Sequence, residues 1–259
     1  MKGIKAVFFD IDGTLVSFKT HEVSAKVRAS IERMQRNGIK CFISSGRHLD
    51  NIDNLGELHF DGFVTVNGGM TYLDGRLIDS NPIAKSDVST MLDIVYPDNL
   101  LAVSFVLRDG LVMNTDNERS DYIFEQLQFK KRPRIVDLRT LADKDVYQMI
   151  SFFDREEEPA IMRRLPHCQS ARWSPIFTDV VPRGQSKVRG IDKLCAMMGI
   201  TPSECMAFGD GGNDVEMLRH VGLGVAMGNA SDDVKAEADE VCPSVDDDGI
   251  AWMVERLGL

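Results

Sequence analysis

No apolar run in the 259-residue chain approaches the roughly 20 residues a membrane-spanning helix needs, which argues against an integral membrane protein. The opening MKGIKAVFFDID gains charge too early for a signal peptide. Also lacking is a C-x-x-C pair. The five cysteines, Cys41, Cys168, Cys195, Cys205 and Cys242, are odd in number and scattered, so a reduced, cytoplasmic protein is expected. There is no excess of positive charge. The formal net charge of −10 argues against a general affinity for nucleic acid or anionic membrane, although it permits a local positive pocket. His21, His48, His59, His167 and His220 show no metal-ligand spacing. GLGVAMG (222–228) is one residue too long for the dinucleotide fingerprint and enters a strand instead of leaving one. KKRPR (130–134) reads as a solvated loop, and Asn229-Ala230-Ser231 fits a glycosylation acceptor in a chain with no sign of secretion.

What is present is an alternation of strand-like and helix-like segments at the two ends of the chain. Ile4–Phe9 is almost wholly apolar, as expected of a strand covered on both faces. Val23, Val27, Ile31 and Met34 follow at helical spacing, with Gly38 as the C-cap. IKCFIS (39–44) and GFVTV (62–66) read as further strands. The pattern returns after residue 186, with a helical face at Val188, Ile191, Leu194 and Met198, strands at CMAF (205–208) and LGVAM (223–227), and a closing helix GIAWMVERL. Between them, LAVSFVL (101–107) and LVMNTD (111–116) flank a hairpin turn. VYQMISFF (146–153), HCQSARW (167–173) and PIFTDVV (175–181) read as strands, and helices are expected near 85–95, 118–127 and 155–164. The expected fold is therefore α/β: a Rossmann-like parallel-sheet core with helices on both faces (residues 1–83 and 184–259) and an inserted α+β domain (84–183).

Ligands of an open parallel sheet bind beyond the carboxyl ends of its strands. That rule picks out Asp10-Ile11-Asp12-Gly13, Ser45-Gly46-Arg47, Asn67-Gly68-Gly69 and Asp210 to Asp214. Two ionised carboxylates in one cleft repel, and a divalent cation removes the repulsion. With Asp210 and Asp214 the site becomes all-oxygen, which suits Mg²⁺. The competing reading is that these acids cap helices or sit in turns. A second acidic, glycine-rich loop after another apolar strand weighs against it, and neither loop has EF-hand spacing.

DIDGTL (10–15), SSGR (44–47), the lysine of GQSK (Lys187) and GDGGND (209–214), in this order, resemble the motifs of the haloacid dehalogenase-like superfamily, and within it the Cof-type sugar phosphatases. The insertion between the second and third motifs is similar to the larger α/β cap of that subfamily. The resemblance implies a Mg²⁺-dependent phosphatase of small phosphorylated metabolites, a monomer or weak oligomer. It implies Asp10 as nucleophile, Asp12 as acid and base, and Lys187 neutralising the transferring group. The implied metal ligands are Asp10, the carbonyl of Asp12, Asp210 and, less directly, Asp214, which alternatively orients Lys187. Ser45 and the Gly46 N–H would hold phosphoryl oxygens, and Asn213 the phosphate or Asp10.

Arg47 contacts substrate or braces a loop by an ion pair, Asn67 reads as a turn residue, and Ser45 doubles as the N-cap of a helix beginning near His48. Asp179 and Arg183 are the candidates for substrate contact in the cap. Two other readings stay open: a phosphomannomutase-like phosphotransferase, and a catalytically silent sugar-phosphate-binding regulator.

Overall fold

β1 (Ala6–Phe9) has every residue buried and lies between two parallel neighbours, β2 (Lys40–Ser44) and, far along the chain, β12 (Cys205–Gly209). Burial on both faces explains why these strands read as continuous apolar runs. Aromatic pairs set in register tie the three together. Phe8 stacks on Phe42 with ring centroids 5.0 Å apart, and Phe9 on Phe208 at 5.5 Å. Each such pair adds about 0.5–1.5 kcal/mol beyond the area it buries.

The protein is described here from a computed structural model covering residues 3–99, 101–126, 132–172 and 174–259. It divides into two compact units, Met1–Asp79 with Ser186–Leu259, and Ser80–Gln185. In the first unit α1 (Ala25–Arg36) joins β1 to β2, and β3 (Gly62–Thr65) pairs parallel to β2. β4 (Met70–Leu73) and β5 (Arg76–Ser80) complete that edge. At this edge of the expected parallel-sheet core, β4 runs antiparallel to β3. Val66, Asn67 and Gly68 all take positive φ and reverse the chain within three residues.

The second unit is a six-stranded sheet with its own core. Its elements are α2 (Lys85–Val95), β6 (Val103–Leu107), β7 (Gly110–Met113), α3 (Glu118–Gln126), β8 (Arg134–Ile135), β9 (Gln148–Ser151), α4 (Glu158–Met162), β10 (Cys168–Ala171) and β11 (Thr178–Pro182). The strand order is β10-β11-β9-β6-β7-β8. It starts earlier and ends later than the expected 84–183, because Asn81 Nδ2 donates to Gln185 Oε1 (3.2 Å) and Ile83 N–H to the Val146 carbonyl (2.7 Å). The helix expected near 155–164 shrinks to α4. Asp154 Oδ1 accepts from the N–H groups of Glu156 and Glu157, an Asx turn that delays its start. Lys130 and Lys131 of the KKRPR stretch, residue 127 of the expected third helix and Trp173 lie outside the described residues.

The chain then returns with α5 (Lys187–Met198), the central β12, α6 (Val215–His220), β13 (Leu223–Ala226), α7 (Asp232–Lys235), β14 (Glu240–Val241) and α8 (Gly249–Leu257). The first sheet is ordered β14-β13-β12-β1-β2-β3-β4-β5. Val27, Ile31 and Met34 of α1 and Ile250, Met253 and Val254 of α8 bury against one face. Ile191 and Leu194 of α5 and Met217 and Leu218 of α6 bury against the other.

Candidate active site

From β1 the chain continues to β2 and β3 on one side, while β12, β13 and β14 build outward on the other. The direction of winding reverses between β1 and β12, and open α/β sheets bind ligands at such a reversal. The carboxyl ends of those two strands carry Asp10 and Asp210, and the Asp10 N–H donates to the Phe208 carbonyl (3.0 Å). Asp10, Asp210 and Asp214 each present a carboxylate oxygen within 4.8 Å of the others.

Lys187, the first residue of α5, reaches into this cluster. Its Nζ lies 2.6 Å from Asp10 Oδ1 and 2.6 Å from Asp214 Oδ1, and it has no solvent exposure. Two close approaches bring it there. Gly68, at φ +88°, abuts the Ser186 carbonyl so tightly that a Cβ would overlap it. One turn into α5, Gly190 packs on β3, where a Cβ would stand 2.5 Å from Val64 Cγ1. Gly13 has a similar role beside Asp210. It takes φ +85°, and a side chain would fall within the van der Waals shell of Asp210 Oδ2.

Charge in this pocket is unbalanced. Burial pushes the Asp10 carboxyl up, opposed by Lys187 and reinforced by Asp214, Asp210 and Asp12. Asp210 is pushed up to about 6, first by burial, with Thr14 and Lys187 pulling the other way and Asp214 and Asp12 adding repulsion. Burial pulls the Lys187 ammonium down, but Asp10 and Asp214 more than offset it and its pKa is raised. Four carboxylates, those of Asp10, Asp12, Asp210 and Asp214, thus face two cations, Lys187 and Arg47. A hard divalent cation among oxygen donors fits this deficit in both charge and donor type.

Asp12 turns away from the cluster. Its Oδ2 accepts from Arg47 Nε and its Oδ1 from Arg47 Nη2, both at 2.7 Å. Arg47 thus makes an ion pair with a neighbouring loop, one of the two roles the sequence offered, and its partner there is a catalytic candidate. Asp214 places its other oxygen on the N–H groups of Asp210 (3.1 Å) and Gly211 (2.9 Å), so it shapes its own loop and holds Lys187. Ser45 is buried at the end of β2, where its Oγ accepts from Arg47 N–H (3.2 Å). It caps no helix: only a 3₁₀ turn, Leu49–Asn51, follows, and His48 caps that. Asn213 donates to Asn67 Oδ1 (3.0 Å) and not to Asp10. Asn67 is the expected turn residue, at φ +51°, and its amide also lies against Gly46.

Asp179 and Arg183 belong to the second unit. Asp179 is buried in β11 opposite Ile150 and Ala171, and the exposed Arg183 donates from Nε to the Pro166 carbonyl (3.2 Å). Two site residues escaped the sequence reading. Thr14 Oγ1 donates to Asp210 Oδ1 (2.7 Å). Asn229 Nδ2 donates to the Gly13 carbonyl (2.8 Å) and, at 3.4 Å, to Asp210 Oδ2, while its Oδ1 accepts from Val245 N–H (2.9 Å). In the sequence Asn229 reads only as a glycosylation acceptor. Its position just past the carboxyl end of β13 was the available signal.

The sequence profile of the haloacid dehalogenase-like hydrolases matches residues 7–254, and the chain belongs to that family. It is 34% identical over 258 residues to YkrA of Bacillus subtilis, named as a candidate phosphatase, with 98% of each chain covered. Among solved structures it is similar to the sugar phosphatase BT4131, of subclass IIB of this superfamily. There the identity is 38%, the TM-score 0.90, and the coverage 98% of this chain and 99% of that one. A further structure, from a phosphoryl-transfer superfamily with a trigonal-bipyramidal intermediate, is 37% identical at TM-score 0.91 and covers 98% and 99%. The enzyme class is that of a phosphatase.

Proposed function

We propose that this chain hydrolyses phosphate monoesters of small metabolites, sugar phosphates foremost, through a phosphorylated Asp10. The observation that carries the reading is the meeting of Asp10, Lys187, Asp210 and Asp214 at the β1/β12 reversal, with Asp12 held beside them but turned aside. The names of BT4131 and the phosphoryl-transfer structure support it.

An Asp10 oxygen attacks phosphorus in line as the bond to the leaving oxygen breaks, and Asp12 gives that oxygen its proton. Asp12, now a carboxylate, takes a proton from water. The water oxygen bonds to phosphorus, the Asp10–phosphorus bond breaks, and orthophosphate leaves. Lys187, the Ser45 hydroxyl and the Gly46 N–H donate to the phosphoryl oxygens, where charge accumulates. Asp10, Asp210 and the Asp12 carbonyl would hold Mg²⁺, with Asp214 buttressing the loop and Lys187. When bound, the cation supplies charge neutralisation at the phosphoryl group.

Substrate selection is assigned to residues 80–185, with Asp179 and Arg183 as candidates, and the cytoplasm is the proposed compartment, consistent with five free thiols. The test is phosphate release from hexose, pentose, polyol, nucleotide and cofactor phosphates with Mg²⁺, ranked by kcat/KM, for the native enzyme and Asp10→Asn. Sugar phosphates should lead, and the variant should lose at least about 10⁴-fold in kcat, as removal of a nucleophile does elsewhere. A variant as active as the native enzyme overturns the covalent route.

A further inference from the structure

We propose that Arg47 is a positioning residue for Asp12, fixing its carboxylate in the single orientation from which it serves both the leaving group and the attacking water. The inference rests on the functional reading above, which gives Asp12 its role; its new content is what holds Asp12 in place.

The contact is a fork, with Nε and Nη2 of Arg47 each 2.7 Å from a different oxygen of Asp12. A bidentate guanidinium–carboxylate pair fixes a plane as well as a distance, which a lysine cannot do. The fork is itself held. Nη1 donates to the Asn51 carbonyl (2.9 Å), the Arg47 N–H donates to Ser45 Oγ (3.2 Å), and the Arg47 carbonyl accepts from Val66 N–H (3.0 Å). Side-chain exposure is 16% for Arg47 and 28% for Asp12, so this is a sheltered pair and not a loose surface contact.

Val66 sharpens the point. A β-branched residue at φ +53° is strained, and such strain persists only where the surroundings enforce it. Here its N–H is aimed at the backbone of Arg47. The strained turn, the strand end at Ser45 and the guanidinium together leave Asp12 little rotational freedom. With both oxygens of its carboxylate accepting from Arg47, Asp12 is also kept off the Asp10–Asp210–Asp214 cluster, where a fourth side-chain carboxylate would add repulsion.

Positioning and general structural support predict different kinetics. With 4-nitrophenyl phosphate the leaving group departs without a proton, so forming the phosphorylated enzyme does not need a well-placed Asp12, whereas its hydrolysis does. Arg47→Ala should therefore release nitrophenol in a burst of about one equivalent per site and then turn over about 10²-fold more slowly than the native enzyme, the loss that a misplacement of about 1 Å produces. With a sugar phosphate, whose alkoxide needs the proton, the burst should vanish. Arg47→Lys should recover only part of the rate, because it restores charge without the fork.

Rapid-quench kinetics with both substrates, alongside a thermal melt of each variant, reads these differences. Equal slowing of burst and steady state, or a variant that matches the native enzyme, overturns the assignment of Arg47. A native enzyme that releases no phosphate from either substrate overturns instead the functional reading beneath it.

Discussion

Asp210 is the residue whose titration reports on the site. Its carboxyl, pushed up to about 6, chiefly by burial, is raised above its ordinary value near 3.9. A group raised on folding favours the folded state while protonated. That contribution is complete below about pH 4 and lost as pH rises through about 6. A bound cation needs the carboxylate, so it should reverse the trend. In thermal melts, the rise in Tm on adding Mg²⁺ is expected to be small near pH 5 and larger near pH 7.5. An increment that stays flat over that range would contradict Asp210 as a ligand.

At this scale Asp10, Asp12, Ser45 and Asp210 were legible because each sits where an apolar run stops, whereas Lys187, which follows a polar hinge and opens α5, was legible only through the motif resemblance. The contacts of Thr14 and Asn229 span 196 and 216 residues of sequence, and the one local signal for either is the place of Asn229 just past β13. Arg47 was legible as a site residue, but its partner was not. Nothing in SSGR says that its guanidinium reaches back 35 residues to Asp12.

Among the elements, α5 does the most for the site, since its first residue is Lys187 and its angle of approach is set by the flat contact at Gly190. Gly190→Ala would drive a Cβ to 2.5 Å from Val64 Cγ1 and 2.9 Å from Thr71 Oγ1. Overpacking of this kind costs about 1–3 kcal/mol. We expect urea unfolding of that variant to shift by this amount. We also expect kcat to fall further than a destabilised but undistorted enzyme would show, because Lys187 moves with the helix. Unchanged kcat with reduced stability would separate the two roles of α5.

α6 and α7, at six and four residues, are too short to show a periodicity, but the central strands and the longer helices α1, α2, α3, α5 and α8 were recoverable from it. The β4–β5 edge was not, even though Asp74-Gly75 offered a hairpin signal: both residues take positive φ, and β5 is only half-buried, so its strand pattern is weak.

Over the whole molecule, two separate cores predict two separable unfolding events. Phe8 is fully buried in the first unit and Phe105 in the second. Either change to alanine removes a large aromatic from a packed core, at about 3–5 kcal/mol. Calorimetry should show Phe8→Ala lowering one transition and Phe105→Ala the other. If both variants moved a single shared transition equally, the units would be thermally inseparable.

The insertion itself was legible as a change of texture between two similar halves. Its internal pairing order was not, because β10-β11-β9-β6-β7-β8 is fixed by contacts between distant segments.

The amides of Asn81 and Gln185 meet where the chain leaves for the second unit and where it comes back. Exit and re-entry are thus side by side, like the two wires of a plug. A segment attached in this way can be exchanged, lengthened or rewritten by evolution without redrawing the strand ends and the helix that carry Asp10, Asp12, Ser45, Lys187 and Asp210. The reaction proposed for the first unit can in this way be kept while the inserted unit changes.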